Sequence, residues 1–377
     1  MNFGRLLWLE LRALLSNTAV VITVFGGVLF YSVLYPLPYA NQTPREQLVS
    51  VVNLDKSSAS YQLERMIDAT PQVKVVQRDH SLEQAKQAFL QGNISGLVVI
   101  PEHFYKDLLL GRSPTLAYAG DASYFLVYGT VVEGLGQAGG TLAAQVKVSQ
   151  LLLDGQPLNQ ASEQYTSIKL NLKPTFNPRM GYVDYVVPAV FVLILQQTLI
   201  MASGLMVGTQ KDGIGYWTHT PPLKLYLARI ILLVSIYYLL GLFYFGISFT
   251  THGINQLAQT SDLLLLMLPF FVASTVVGLV LGKLLPRREL VTLVVLISSM
   301  PLIFTAGFIW PLEVIPQPLL VLSELVPSTA AIQAFLAINQ MGAQWWQIAA
   351  QWSQLWLVLL GWSVILWLSH LRDVKQQ

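Results

Sequence analysis

Long apolar runs alternate with polar segments along this chain, and several of the runs are long enough to cross a membrane. A transmembrane helix needs about 20 mostly apolar residues. Six runs meet that length, at residues 18–37, 183–207, 225–249, 263–285, 290–310 and 348–368. The pattern therefore predicts a polytopic α-helical membrane protein with six transmembrane helices, the first of which is complete by residue 38.

Residues 1–17 do not have the pattern of a cleaved leader. The apolar run that follows them is about 20 residues long and lacks a small-residue cleavage site after it. Arg5, Glu10 and Arg12 stand among bulky apolar residues, which is typical of an amphipathic helix lying in the membrane interface. The alternative is that these residues are the frayed start of the first span.

Basic residues predict the orientation, because cytoplasmic loops carry an excess of Lys and Arg. With both termini in the cytoplasm, the cytoplasmic segments hold ten basic residues and the short outside segments 250–262 and 311–347 hold none. The other twelve lie in the long segment 39–182, and long domains are translocated largely regardless of charge. The asymmetry therefore places both termini inside the cell.

Segment 39–182 has short alternating patterns instead of long apolar runs. Strand-like stretches alternate with helix-like ones in the order QLVSVVNLD, SASYQLERMIDAT, VKVVQ, SLEQAKQAFLQG, ISGLVVIP and TLAYAGD. This alternation is typical of βαβ units, so we expect an inserted mixed α/β extracytoplasmic domain. Residues 124–153 are apolar enough to suggest a seventh span, but Glu133 and Lys147 favour a helix of the domain.

Candidate catalytic residues in this domain are Asp55, Asp79, His80, His103 and Asp121. None belongs to a zinc-protease, serine-hydrolase or EF-hand motif, and helix caps or turns explain them as well. The chain has no cysteine, and its net charge of +2 indicates no nucleic-acid partner. We therefore predict a protein that is not an enzyme and holds no metal or cofactor itself.

The predicted spans contain almost no ionisable residue, which disfavours an ion-driven carrier. Arg229 and Lys283 lie near the predicted cytoplasmic ends, where we expect their long side chains to reach the interface. A phosphate-binding loop is missing too, because GLVLGKLL at 278–285 has too few residues between its glycines and no following Ser or Thr. Any ATP-driven step therefore needs an ATPase on another chain.

Two stretches carry recognisable motifs. Residues 305–339 read TAGFIWPLEVIPQPLLVLSELVPSTAAIQAFLAIN, with Gly307, Phe308, Pro311, Pro316 and Pro327 at the motif positions, and residues 177–191 read NPRMGYVDYVVPAVF. Both resemble permeases of the ABC type-2 transporter family, in its bacterial multidrug-export-like branch. The order of one span, a long domain and five spans is similar to that family over essentially the whole chain.

The resemblance implies a permease in the bacterial inner (plasma) membrane that pairs with a second permease, either the same chain or a paralogue. It also implies separate ATP-binding cassette ATPases that hold ATP and Mg, and often a periplasmic adaptor protein. Segment 209–224 matches the family's coupling loop, with TPP at 220–222 and LARI at 227–230 as landmarks. The family's acidic run is replaced here by QKDGIGYW. The implied ATPase-coupling residues are Lys211, Asp212, Gly213, Tyr216, Trp217, Thr220 and Pro221.

Residues from about 308 to 347 contain too many prolines for a plain span. Burial against other helices would satisfy the backbone of such a segment, so we predict a re-entrant hairpin. An extended outside loop is the alternative. The residues that mark the hairpin are Gly307, Phe308, Pro311, Glu313, Pro316 and Pro327.

Taken together, these features predict a permease subunit that exports drugs or other amphipathic small molecules. The aromatic and aliphatic side chains that would line its path fit contact with membrane lipid equally well. The alternative is a membrane receptor or assembly factor whose outside domain senses a ligand. An intramembrane enzyme ranks third, because the spans lack paired polar residues.

Overall fold

The computed structural model describes residues 2–40, 44–165, 173–211 and 213–376, with side chains as far as Arg372. It divides into two compact units, one formed by Met1–Ala40 with Pro174–Gln377 and the other by Asn41–Lys173. The helices are α1 (Phe3–Ser16), α2 (Thr18–Tyr39), α3 (Ser58–Asp68), α4 (Leu82–Leu90), α5 (Phe104–Leu109), α6 (Phe125–Leu153), α7 (Leu158–Gln164), α8 (Val186–Gln210), α9 (Pro222–Thr251), α10 (Thr260–Leu284), α11 (Glu289–Thr305), α12 (Gln317–Glu324), α13 (Pro327–Gln340) and α14 (Trp345–Arg372). The strands are β1 (Gln47–Asn53), β2 (Val73–Asp79), β3 (Gly96–Ile100) and β4 (Ala117–Gly120).

In the part of the chain that the structure describes, five helices are long and apolar enough to cross a membrane: α2, α8, α9, α10 and α14. The prediction of a full span at 290–310 is wrong in length. Helix α11 has 17 residues and ends at Thr305, because Gly307 adopts φ +86° and turns the chain. At 1.5 Å per residue it is about 25 Å long, shorter than a hydrocarbon core of about 30 Å.

Helices α12 and α13 form a pair bent by 88°. Side chains satisfy the carbonyls at the bend, since the Thr329 hydroxyl donates to the Ser323 carbonyl at 2.7 Å and Trp362 Nε1 donates to the Leu325 carbonyl at 2.9 Å. Pro327 is the first residue of α13, a position where its missing N–H costs nothing. The bend has the geometry of a broken span or a re-entrant hairpin, and its insertion into a membrane stays a prediction.

Helix α8 lies at the centre of the helical unit and is buried along most of its length. It approaches α10 so closely that a Cβ on Gly278 would lie 2.4 Å from the Ile200 carbonyl oxygen, and one on Gly282 would lie 2.5 Å from the Gly204 carbonyl oxygen. Small residues allow this approach between helix backbones. The two helices therefore form a closely packed pair around which the other elements are arranged.

Two helices contain a π-helical turn, at Ile22–Gly27 in α2 and at Phe243–Ser248 in α9. The two helices meet next to these turns, where the Tyr244 hydroxyl donates to the Val28 carbonyl at 2.8 Å. Such turns insert an extra residue into a helix and often mark functional positions.

The second unit contains a four-stranded sheet in the order β2-β1-β3-β4. The central strand β1 pairs in parallel with β2 and β3, and β4 is antiparallel to β3. Val49 and Val51 of β1 pack towards α3 and α6, whereas Val52 packs towards α4, as strand alternation requires. Helix α6 corresponds to the apolar residues 124–153 that suggested a seventh span. It packs on this sheet and, among the described helices, is not one of the candidate spans. That the unit lies outside the cell stays a prediction.

Candidate functional site

The N-terminal helix α1 is separate from the first span. Its last residue is Ser16, and Asn17 adopts an extended conformation (φ −98°, ψ 98°) before α2 begins at Thr18. Helix α1 buries Leu6, Glu10 and Leu14, which are four residues apart and share one face. An apolar stripe with a carboxylate at its centre therefore packs against the protein.

Glu10 forms a buried ion pair with Arg229 of α9. Arg229 Nε lies 2.7 Å from Glu10 Oε2, and Arg229 Nη2 lies 3.0 Å from Glu10 Oε1. Gln210, the last residue of α8, accepts a hydrogen bond from Arg229 Nη2 at 2.6 Å. The Tyr216 hydroxyl donates to Glu10 Oε1 at 2.7 Å. We call these four residues the buried network. It joins α1, α8, α9 and the segment between α8 and α9, which we call the connector (residues 211–221).

Both charges of the network are fully buried, with 0% of Glu10 and 0% of Arg229 exposed. The expectation that the Arg229 side chain reaches the interface is therefore wrong, because the carboxylate of α1 holds the guanidinium inside the protein. Bidentate, charge-assisted hydrogen bonds of this kind are strong and directional. Removing one partner of a buried pair costs about 3–5 kcal/mol, so the network fixes the position of α1 on α9.

Tyr216 is the member of the network that belongs to the connector. Burial, and then the negative charge of Glu10, raise the pKa of Tyr216 above its usual value. The hydroxyl therefore keeps its proton at physiological pH and acts as a donor to Glu10. This bond attaches the connector to α1 and, through Glu10, to Arg229.

The connector folds around Trp217. Its Nε1 donates to the Gly213 carbonyl at 3.1 Å, and a Cβ on Gly215 would lie 2.5 Å from the Trp217 ring. Thr220 Oγ1 donates to the Tyr216 carbonyl at 2.6 Å, and Pro221 directly precedes α9. Gly213 and Gly215 therefore make room for the tryptophan ring.

Lys211 and Ile214 of the connector have different surroundings. Lys211 Nζ donates to the carbonyls of Lys283 and Leu285 at 2.8 and 2.7 Å, which caps the end of α10. Ile214, between the two glycines, is 93% exposed. Asp212 lies outside the described residues. The connector thus presents an apolar side chain to its surroundings while its base is fixed to α10.

Consecutive glutamines in α8 link this helix to two other elements. Gln196 Nε2 donates to the Ser328 hydroxyl of α13 at 3.1 Å, and Gln197 Nε2 donates to the Ser299 hydroxyl of α11 at 2.7 Å. The opposite end of α8 carries Gln210 of the buried network. One rigid helix therefore joins the network to the bent helix pair and to the short helix α11.

The other predicted hairpin residues occupy turns. Gly307 ends α11 with a positive φ, and a Cβ there would lie 2.8 Å from Leu312 Cδ2. Phe308 is buried, whereas Glu313 is exposed. Pro311 and Pro316 precede the short turn Leu312–Val314 and helix α12. They shape the chain before the bend and do not converge on one site.

A cavity of about 1030 Å³ lies beside the buried network. It is open to the surroundings and is lined by the end of α1, the start of α2, the end of α8 and the start of α11. Its lining mixes polar groups with apolar ones, among them Asn17, Ile22, Met206, Thr209, Trp217 and Arg288. Such a lining suits a molecule with both polar and apolar parts.

Comparison with known proteins identifies the family. A family model described as ABC-2 family transporter protein matches residues 18–368. The chain belongs to the ABC-2 transporter family. No curated protein matches it.

Membership of the ABC-2 family makes this chain a membrane component of a transporter, in a family whose members act with ABC ATPases. The match confirms the family expected from the two sequence motifs.

The candidate catalytic residues of the second unit include three aspartates, each of which accepts a hydrogen bond. Asp55 accepts one from the Tyr105 N–H at 3.3 Å, Asp79 from the Ser50 hydroxyl at 2.6 Å and Asp121 from the Ser123 N–H at 2.9 Å.

These bonds give the three aspartates structural partners: Asp55 at the start of α5, Asp121 in the turn before α6, and Asp79 between the neighbouring strands β1 and β2. His103 precedes α5 with φ +63°, and His80 lies in the turn before α4. Among the described residues, no group of three or more acidic or histidine side chains is placed to hold a metal ion. The structure does not bring the five candidates together.

The contacts that Glu10, Gln196 and Gln197 make between helices of this ABC-2 chain were not predicted from the sequence. Glu10 had one detectable signal, its four-residue spacing from Leu6 and Leu14 on a face that is otherwise apolar. The glutamines lie inside an apolar span, where an amide needs a partner. The expectation that the spans lack paired polar residues is therefore wrong for Gln196 and Gln197, and an uncharged polar pair in a predicted span is a signal for contacts between helices.

Proposed function

We propose that this chain is the permease subunit of an ATP-binding cassette exporter in the bacterial inner membrane, with both termini in the cytoplasm. It exports drugs or other amphipathic small molecules. Separate ATPase subunits bind ATP and Mg and supply the energy. The permease works as a dimer with a second copy or a paralogue, and a periplasmic adaptor protein receives the cargo on the outside.

The contact with the ATPase is made by the connector. Ile214 is 93% exposed although it is apolar, and exposed apolar side chains at a turn are suited to a pocket on a partner. The Trp217 ring, bonded to the Gly213 carbonyl, holds this turn in one shape. A preformed turn costs little ordering entropy on binding, which supports a docking role for the connector.

The buried network links the connector to the spans, and this observation carries the proposal. Tyr216 bonds to Glu10, and Glu10 bonds to Arg229. A displacement of the connector would therefore move α1, α8 and α9 together. Helix α8 transmits it further through Gln196 and Gln197.

The cavity of about 1030 Å³ beside the network supports an amphipathic cargo. It is large enough for a drug-sized molecule, for which about 300–1,000 Å³ is usual. Its walls belong to α1, α2, α8 and α11, so movement of α8 relative to α11 would change its shape. A cavity whose walls move with the ATPase is what an export cycle requires.

The test is transport in inverted membrane vesicles that contain the chain together with the ATPase that co-purifies with it. ATP-dependent uptake of a fluorescent amphipathic dye is expected for the wild type and for Ile214→Leu. Ile214→Asp should abolish uptake and release the ATPase during purification. Full uptake by Ile214→Asp would contradict the role of the connector. A wild-type chain that purifies without any ATPase, and whose second unit binds a ligand, would favour a receptor or assembly factor.

A further inference from the structure

The second unit, Asn41–Lys173, contains a cavity of its own. It has a volume of about 770 Å³ and lies between helix α6 and the segment that leads into β4. Leu108, Leu116, Leu135 and Val146 form apolar walls. A volume of this size is within the usual range for small-molecule sites, about 300–1,000 Å³.

Glycines of α6 line this cavity. Gly136, Gly139 and Gly140 line it, and a Cβ on Gly136 or Gly140 would meet no described atom within 4 Å. Gly134 on the same helix is different, because a Cβ there would lie 2.9 Å from Val73 of the sheet. Glycine weakens a helix, so close packing explains Gly134, whereas Gly136 and Gly140 leave empty space along the cavity.

The charged groups at the cavity have one sign. Arg112 and Lys147 line it, and no Asp or Glu is among its described lining residues. Asp107 lies 3.5 Å from Arg112, but the Arg112 side chain is 70% exposed, and exposed pairs are weak. An anionic group at the mouth of the cavity would therefore be attracted to both cations.

Tyr118 supplies an unused donor. Its ring lies over Gly96 and Gly120 of the sheet, and it also lines the cavity. Its hydroxyl is buried and has no hydrogen-bond partner among the described residues. Burial raises the pKa of Tyr118 to about 12, so the hydroxyl keeps its proton. Buried polar atoms nearly always have a partner, but this hydroxyl lies against the sheet glycines, so an anionic headgroup is assigned to the two cations instead.

We propose that this cavity binds an amphipathic anion with a single acyl chain and a carboxylate headgroup. The apolar walls and the space beside the α6 glycines take the chain, and Arg112 and Lys147 take the carboxylate. The site belongs to the second unit and does not depend on coupling to an ATPase. It would give this unit a ligand-binding activity in addition to the proposed export.

The test uses the full-length chain in lipid nanodiscs and a decanoate that carries a photoreactive diazirine. Cross-linked peptides are mapped by mass spectrometry. Labelling is expected in peptides that contain residues 111–118 and 132–150. The double variant Gly136→Leu/Gly140→Leu fills the cavity and should lower labelling about tenfold. Gly129→Leu is the matched control, because Gly129 lies on the same helix, has open space around its Cβ and does not line the cavity.

The headgroup is tested separately. Arg112→Ala/Lys147→Ala should lower labelling by the carboxylate and leave labelling by the corresponding diazirine decanol unchanged. Both residues are exposed, so this variant is expected to fold, and an unchanged thermal transition checks that it does. Equal labelling of the filled variant and of Gly129→Leu would overturn the site. Equal labelling by the alcohol and the carboxylate in the wild type would contradict the proposal that the headgroup is an anion.

Discussion

Glu10 and Arg229 are 219 residues apart in sequence and share two hydrogen bonds inside the protein. One belongs to a short helix before the first span and the other to the helix that follows the connector. Because the pair is buried, the N-terminal helix is part of the helical unit. The pair also excludes a free interfacial position for the Arg229 side chain.

Removing either charge should destabilise the folded chain strongly. Glu10→Ala leaves the Arg229 guanidinium buried without its carboxylate, and the expected loss is about 3–5 kcal/mol of unfolding free energy. Glu10→Leu/Arg229→Leu should recover part of this loss, because no charge stays buried. Thermal unfolding of the purified chain, followed by size-exclusion fluorescence, measures both. Additive losses in the double variant would contradict the direct pair.

Tyr216→Phe should lower stability by the value of one hydrogen bond to a charged acceptor, about 1.5–3 kcal/mol. The pKa of Tyr216 is raised in the folded chain, so its contribution is fully present below the unfolded pKa of about 10. It is lost only as the pH rises beyond that value. The variant should therefore lose the same stability at pH 7 and at pH 9. A loss confined to one of these pH values would show that Tyr216 is not the protonated donor.

The glycines of the connector should be required for transport and not for folding of the spans. Gly215→Ala places a Cβ against the Trp217 ring, Trp217→Asp removes the ring, and Gly213→Pro removes an N–H that donates to the Gln210 carbonyl at 3.4 Å. All three should abolish dye uptake in inverted vesicles while expression and membrane insertion stay normal. Gly4→Ala is the control, because a Cβ there meets no described atom within 4 Å. Normal uptake by all three connector variants would refute the coupling role.

The glutamines of α8 should transmit movement without contacting the ATPase. Gln196→Leu removes the bond to Ser328, and Gln197→Leu removes the bond to Ser299. Each should lower dye uptake severalfold while the ATPase still co-purifies. Ser353→Ala serves as a control, since among the described residues its hydroxyl bonds to the Ala350 carbonyl of its own helix. Loss of the co-purified ATPase in the glutamine variants would instead indicate a disrupted connector.

Apolar composition was sufficient to predict five of the spans, because length and hydrophobicity alone decide whether a helix can cross a membrane. The prediction for 290–310 failed since the apolar run continues to Trp310 while the helix ends at Thr305. A positive φ at Gly307 turns the chain there, and composition contains no information on backbone angles. The strand patterns between residues 47 and 121 coincide with β1 to β4, because alternation and short length are local properties.

The buried network could not be predicted in the same way. An arginine near the end of a span can be stabilised either by water at the interface or by a buried carboxylate. For Arg229 the carboxylate belongs to Glu10, which lies 219 positions earlier in the sequence. The sequence marks Glu10 as an odd member of an apolar stripe but does not name its partner. Pairings between distant segments depend on how helices pack, which local patterns do not determine.

The π-helical turn of α2 affects which side chains of this helix face its neighbours. Val20, Val24, Val28, Ser32 and Pro36 are buried at intervals of four residues. In a regular helix of 3.6 residues per turn, each such step rotates the next side chain by about 40°, so the buried stripe would wind away from a straight neighbour. The wider turn at Ile22–Gly27 rotates the helix back. The turn thus offsets part of the drift of the buried stripe, and deleting one residue from it would rotate Val28 and Ser32 together by about 100° relative to Val20.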